Sequence, residues 1–275
     1  MSLDEGRLID LAAGDAAENM SLDQAMLESV DQGGPPTLRL YRWRKPTLSL
    51  GYFQRYADRK QHSESSQCVC VRRGSGGGAI LHDSELTYSL AWPIDPRQTG
   101  ANTRLYRLTH DAIARAIAEF GLRAVPHSVA GRNDISSGLA ASAESGQADR
   151  DDNPARSVAE KRPDPFLCFQ RRTADDLIVS GYKVLGSAQR KGKRAVLQHG
   201  SLLVRASPFA PELPGIWDLG GATDSVQQIA ACVASNLSQT LQIAWNKAPF
   251  SRAEVVAAQK IAQDRYDNPD WLARR

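Results

Sequence analysis

The stretch Arg72-Arg-Gly-Ser-Gly-Gly-Gly-Ala-Ile-Leu-His-Asp83 limits this chain more than any other. It joins the strand-like run Cys68-Val-Cys-Val-Arg-Arg73 to a second apolar run at Ala79-Ile80-Leu81. The glycines Gly76, Gly77 and Gly78 remove every Cβ where the first strand ends. Backbone and ligand can approach closely there, and free N–H groups can point at a bound molecule. No Gly-Lys-Ser/Thr follows, which excludes a Walker A loop. The following residues continue as strand, so the loop opens no helix and is not a dinucleotide-binding fingerprint. Two readings stay open at this level, a tight hairpin and a ligand loop. Arg72 and Arg73 beside it are either solvated or facing an anionic group. His82 either binds a ligand or ties down its own strand.

The rest of the chain alternates strands with flanking helices. Thr37–Trp43, Thr47–Phe53 and Thr87–Trp92 read as strands, with Tyr88, Leu90 and Trp92 on one face. A helix is expected over Asn19–Val30, with Ser21 and Gln24 as its capping box. A second is expected over Thr103–Phe120, where Leu105, Leu108, Ile113, Ile117 and Phe120 recur at helical spacing and Gly121 supplies the stop. Asp176–Val179 and Tyr182–Gly186 flank Ser180-Gly181, the signature of a β-hairpin. Lys191-Gly-Lys193 marks another turn before the strand Ala195–Val204. Capping boxes Ser225/Gln228 and Ser251/Glu254 announce two C-terminal helices within about 225–266. Residues 139–164 have only Leu139 and Val158 as large apolar groups, so this segment is expected to be a mobile insertion. Strands framed by helices indicate an α+β (α/β) chain with a mixed central β-sheet, organised as one domain over 1–275.

Composition is that of an ordinary globular protein: 41% hydrophobic, 24% charged, formal net charge +3. That charge is too weak by itself to argue for nucleic acid, and no nucleic-acid partner is expected. No apolar run is long enough to span a bilayer, so no membrane role is expected, and without an export signal the location is expected to be cytoplasmic. Of the four cysteines, Cys68, Cys70 and Cys232 fall on apolar faces and are expected in the core. Cys68-x-Cys70 has no second ligand pair, so no metal site is expected. Cys168 precedes the hairpin and Lys183 opens its second strand. Free cysteines are commonly buried and inert. With an ammonium beside it, the same residue becomes a nucleophile.

Two motifs in order decide between these. Arg72–Leu90 together with Gly181-Tyr-Lys-Val-Leu-Gly-Ser-Ala-Gln189 and Leu197-Gln-His-Gly-Ser-Leu-Leu203 resembles the lipoate–protein ligase and octanoyltransferase family, whose catalytic domain is related to that of biotin–protein ligase. Tyr41–Gln54 fits the opening strands of that family, and the similarity runs from about Met20 to Val204. The resemblance implies an acyl tunnel beneath the glycine loop. It implies catalytic roles for Cys168 and Lys183, and substrate contacts for Arg73, Ser75, Gly76, Gly77, Gly78, His82, Gly186, Ser187, Ala188, His199 and Gly200. Ligases typically carry Arg-Asn-Asp-Leu shortly before the lysine; here Ala174 and Asp175 stand in place of Arg and Asn. The Gly-Arg-Asn-Asp at Gly131–Asp134 lies too far upstream to serve. Amidotransferases of the family tend to read His-Gln-Gly, where this chain reads Gln198-His199-Gly200. The nearest resemblance is to the cysteine-dependent octanoyltransferases.

The implied reaction takes octanoyl from acyl carrier protein to a lysine of a lipoyl-domain protein, such as glycine-cleavage H protein or a 2-oxoacid dehydrogenase E2 subunit. It needs no cofactor, because a thioester is already activated. Basic residues near the motifs (Arg171, Arg172, Arg190, Lys191, Lys193, Arg194) would suit acidic carriers. The alternative is an ATP- and Mg-dependent lipoate–protein ligase. A third reading is a non-catalytic acyl- or lipoyl-binding module.

Overall fold

The computed structural model describes residues 5–133, 165–223 and 225–275. The expected mobile insertion over 139–164 and Asp134 of the upstream Gly-Arg-Asn-Asp lie outside the described residues. Eleven strands appear in chain order: β1 (Glu5–Gly14), β2 (Thr37–Trp43), β3 (Thr47–Leu50), β4 (Val69–Arg72), β5 (Ile80–His82), β6 (Glu85–Pro93), β7 (Val125–Pro126), β8 (Leu177–Val179), β9 (Tyr182–Lys191), β10 (Ala195–Leu203) and β11 (Ala244–Lys247). The helices are α1 (Ala16–Asp31), α2 (Ala101–Ala118), α3 (His127–Asn133), α4 (Val226–Leu241), α5 (Arg252–Ile261) and α6 (Pro269–Leu272).

Eight strands form one sheet in the order β11-β1-β2-β6-β10-β9-β8-β7, and β4-β3-β5 form a smaller one. β1 runs parallel to both β11 and β2, while β2–β6, β6–β10 and β10–β9 are antiparallel, so the large sheet is mixed as expected. Its centre is covered on both faces, which is why β6 is buried along nearly its whole length. Alternation along β10 divides its side chains. Val196 and Leu202 pack with Ile113 and Ile117 of α2 and with Ile229, Val233 and Leu237 of α4. Ala195 and Leu197 turn the other way, toward Met26, Leu27 and Val30 of α1. Each such buried aliphatic side chain contributes about 1.5–3 kcal/mol. The small sheet has its own cluster, in which Leu48, Leu50 and Leu81 meet Phe166 and Leu167 of the segment before the hairpin.

Several boundaries differ from those the sequence suggested. Helix α1 begins at Ala16 and not near Asn19; its capping box is Asp15 with Glu18, whose carboxylate takes the Asp15 N–H at 3.1 Å. Ser21 lies within the helix and donates to the Glu18 carbonyl at 3.1 Å. The earlier start lets the Asn19 amide donate to the carbonyls of Gly14 and Arg42, at 3.2 and 3.1 Å, tying the helix to β1 and β2. Strand β1, unread in the sequence, precedes it. The hairpin turn is as expected: Ser180 and Gly181 have φ of 48° and 84°, the two left-handed residues of a type I′ turn. Ser225 and Ser251 both cap their helices, by accepting the N–H of Gln228 and of Glu254.

Candidate active site

The glycine loop and the cysteine segment are stitched together by backbone. Ala79 N–H donates to Phe166 O at 3.0 Å, and Cys168 N–H donates to Ala79 O at 2.7 Å. A Cβ on Gly78 would lie 3.1 Å from both the Cα and the N of Cys168, so only glycine admits this approach. Cys168 begins a single 3-10 turn, Cys168–Gln170, and is half-buried. The hairpin then returns Lys183 on β9 to the same place. Its Nζ is 3.7 Å from Cys168 Sγ, 3.2 Å from Cys168 O and 3.3 Å from Arg171 O. Lys183 is not a solvated strand end. It is 5% exposed, and its Nζ pairs with Asp176 Oδ2 at 2.8 Å. A Cβ on Gly186 would meet Lys183 Cε at 2.7 Å, so that glycine makes room for the lysine side chain to fold across its own strand.

Cys168 lies at a narrow cavity of about 50 Å³ between the two sheets. The glycine loop at Gly76 and Gly77, with Arg73, Ile80 and His82, lines it from the small sheet. Tyr41, Thr87, Gly186–Ala188 and His199–Ser201 line it from the large sheet, and Met20 of α1 contributes at one side. The polar groups here are bound to each other. Glu85 takes His82 Nδ1 and Thr87 Oγ1, each at 2.5 Å, and the Ser201 hydroxyl. Asp23 takes Arg39 Nη1 at 2.7 Å and Tyr41 Oη at 2.9 Å. Trp43 stacks on His82 with ring centroids 4.1 Å apart. With these side chains paired among themselves, the cavity suits an alkyl chain better than a sugar or a nucleotide base.

Of the residues named from sequence, Arg73, Gly76, Gly77, His82, Cys168, Gly186, Ser187, Ala188, His199 and Gly200 line this one cavity. Ser75 is buried beside it, with its Oγ 2.7 Å from His199 Nε2. Gly78 forms the stitch to Cys168, and Lys183 reaches Cys168 from β9. Burial pushes His199 down to about 4, leaving it neutral near pH 7. Ser187 presents backbone to the cavity, since its hydroxyl is held 2.7 Å from Tyr88 Oη and 2.7 Å from His110 Nε2. Gly200 permits this; a Cβ there would lie 2.3 Å from Ser187 Oγ. Among the described residues β8 pairs with β9 only as far as Leu185, and beyond it Tyr106 of α2 donates to Ser187 O at 3.1 Å.

Arg72 and Arg73 are neither solvated nor turned to a surface carrier. Both are buried, and Arg72 donates to the carbonyls of Gly51, Tyr52, Gln54 and Leu272. Asp176, Asp23, Glu85 and His110 were not singled out in the sequence. Asp176 alone carried a signal, as the first residue of the expected strand that leads to the lysine. Burial pushes the thiols of Cys70 and Cys232 up to about 11, which leaves both protonated and unreactive.

The family model for the lipoyl protein ligase A/B catalytic domain matches residues 15–258. The chain belongs to this family. Among curated relatives it is similar to "Octanoyltransferase LipM" of Halalkalibacterium halodurans, at 29% identity over 98% of this chain and 99% of that one. It is 35% identical to the LipM of Oceanobacillus iheyensis over 74% of this chain and 64% of that one. Among solved structures it matches a bi-partite lipoate protein ligase from Thermoplasma acidophilum with a TM-score of 0.70, 20% identity and coverage of 98% and 96%. A lipoate-protein ligase A bound with ATP gives a TM-score of 0.69 at 20% identity, covering 98% of each chain. These structures place the mixed sheet and its flanking helices in the fold of the lipoyl protein ligase catalytic domains.

Proposed function

We propose that this chain is an octanoyltransferase of lipoate biosynthesis working through a Cys168 acyl-enzyme. Its full-length likeness to LipM proteins supports the transferase activity. The observation that carries the mechanism is the 3.7 Å approach of Lys183 Nζ to Cys168 Sγ on the wall of a cavity lined by both sheets. The Cys168 thiolate attacks the carbonyl of an octanoyl thioester on acyl carrier protein. The C–S bond to the carrier breaks, and the carrier leaves as a thiolate that takes a proton from solvent. The new thioester is close in energy to the old one. A lysine amine of a lipoyl-domain protein then attacks the same carbonyl, and the resulting amide makes this half downhill, with the Cys168 sulfur as leaving group. The Lys183 ammonium donates to the developing oxyanion or to the departing sulfur. No ATP enters either half. E2 subunits and glycine-cleavage H protein are the acceptor class this chemistry serves.

Intact-mass measurement after incubation with octanoyl-acyl carrier protein tests the reading. One octanoyl adduct is expected without ATP, absent in Cys168→Ser, and transferable to a lipoyl domain. Lipoyl-domain modification that needs free acid and ATP, and survives Cys168→Ser, would establish a ligase in its place.

A further inference from the structure

Two buried cations, Lys183 and Arg73, stand at the cavity that holds Cys168, and they differ in what balances them. Lys183 is paired: the side chains of Lys183 and Asp176 are 2% and 3% exposed and 2.8 Å apart. With Nζ 3.7 Å from the sulfur, the Asp176 oxygen lies within about 6.5 Å of it. By Coulomb's law it cancels at least half of the attraction the ammonium offers a thiolate.

Arg73 has no carboxylate beside it among the described residues. It is 2% exposed, and its donors go to neutral oxygens: Ser49 O at 2.8 Å, Ser49 Oγ at 3.2 Å, Gly76 O at 2.8 Å and Gly78 O at 2.6 Å. Its Nε–H is buried without a partner among the described residues. Glu85 is reached from it only through Ser49 and His82. Burial lowers Arg73 to about 10, and Arg73 lines the same cavity as Cys168 while its Nη2 holds Gly78 O, the glycine packed against Cys168. A buried cation lacking a counter-ion costs several kcal/mol. The cavity is short of one negative charge, and Cys168 is the group on its wall able to take it.

We propose that Arg73 is the positioning residue whose unbalanced positive charge holds Cys168 as thiolate, while Lys183, balanced by Asp176, acts chiefly as a hydrogen-bond donor. The inference rests on the reading of Cys168 as nucleophile. The other charged or titratable groups around the sulfur are Asp176, Arg171 on its own turn, His82 on β5 and His199 on β10. His199 is neutral, His82 is tied to Glu85, and Arg171 donates to Pro165 O from Nε at 2.5 Å.

The test is the rate of Cys168 alkylation by iodoacetamide against pH, read by mass on the full chain without substrate. Arg73→Gln is expected to move the midpoint up by about 1–3 pH units, the range for a lost opposite charge, and Arg73→Lys to restore most of it. Lys183→Met alone also moves it up, because it leaves the Asp176 carboxylate facing the sulfur. Adding Asp176→Asn to Lys183→Met is expected to bring it back near the wild-type value. A midpoint that stays high in this double variant, or stays low in Arg73→Gln, overturns the proposal. If Arg73→Gln does not fold, the double variant alone decides it. A low midpoint in a protein that never takes up octanoyl would defeat the acyl-enzyme reading and leave this assignment standing.

Discussion

Three glycines show how one missing methyl group acts at different depths. At Gly186 an added Cβ meets the far end of Lys183, Cε at 2.7 Å and Nζ at 3.0 Å. A flexible side chain can yield, so Gly186→Ala is expected to keep its urea midpoint while displacing the ammonium. Misplacement of this kind costs roughly 10²-fold in transfer rate. At Gly51 the Cβ would meet Gly77 O at 2.0 Å, and at Gly200 it would meet Gly186 O at 2.8 Å besides Ser187. Backbone cannot yield as a lysine tip can, so Gly51→Ala is expected to lose about 1–3 kcal/mol in urea unfolding. The buried histidines act on stability through protons. Burial holds His110 and His199 near 4, against about 6.5 in an unfolded chain. Between those values the unfolded chain binds more protons than the fold. Stability is therefore full above pH 6.5 and falls as pH drops toward 4, by on the order of 3 kcal/mol per histidine at the limit. Comparing urea midpoints at pH 7 and pH 5 should show a shallower loss for His110→Gln than for the wild type.

At the level of elements, what the sequence announced was local. The Ser180-Gly181 turn needs two residues at positive φ, and that requirement is visible in two letters. The helix over Ala101–Ala118 repeats its apolar residues every turn, so it was readable to within two residues at each end. Strand β1 was not readable, because Glu5–Gly14 lacks clean alternation and owes its form to β2 and β11, far away in sequence. Helix α1 offered two capping boxes. The earlier one won because it lets Asn19 bind two carbonyls and places Met20 and Asp23 in the interior. Asp15→Ala is expected to cost about 1 kcal/mol in thermal or urea unfolding. In the site, the cysteine, lysine and glycines were legible as a motif. Their supporting groups were not: Asp176, Glu85 and Asp23 matter through partners that only the folded chain brings near. Arg72 and Arg73 show the same limit. Adjacent arginines look solvated in a string of letters, yet here they fill the carbonyls of two loops.

Over the whole molecule, the proposed mechanism has two protein substrates meet the same cysteine. On the proposed mechanism the octanoyl carbonyl is brought to Cys168 and Lys183, beside the stretch of β9 that carries Gly186–Ala188. On that mechanism donor and acceptor reach Cys168 one after the other. Arg172, Lys191, Lys193 and Arg194 are exposed on or near β9, on a chain whose formal net charge is only +3. Their grouping, not the total, is what an acidic carrier would sense. Charges of this kind raise encounter rates by about 10–10³-fold and lose that effect as salt screens them, over about 8–10 Å at 0.1–0.15 M. They do not touch the reacting carbonyl. With a carrier-protein donor, kcat/KM is expected to fall steeply with ionic strength while kcat holds. With an octanoyl thioester of a small uncharged thiol, neither should respond. Arg172→Glu with Lys191→Glu should flatten the salt dependence for the carrier and leave the small thioester unchanged. Equal salt sensitivity for both donors would place the effect at the Cys168 chemistry and remove the case for a docking edge.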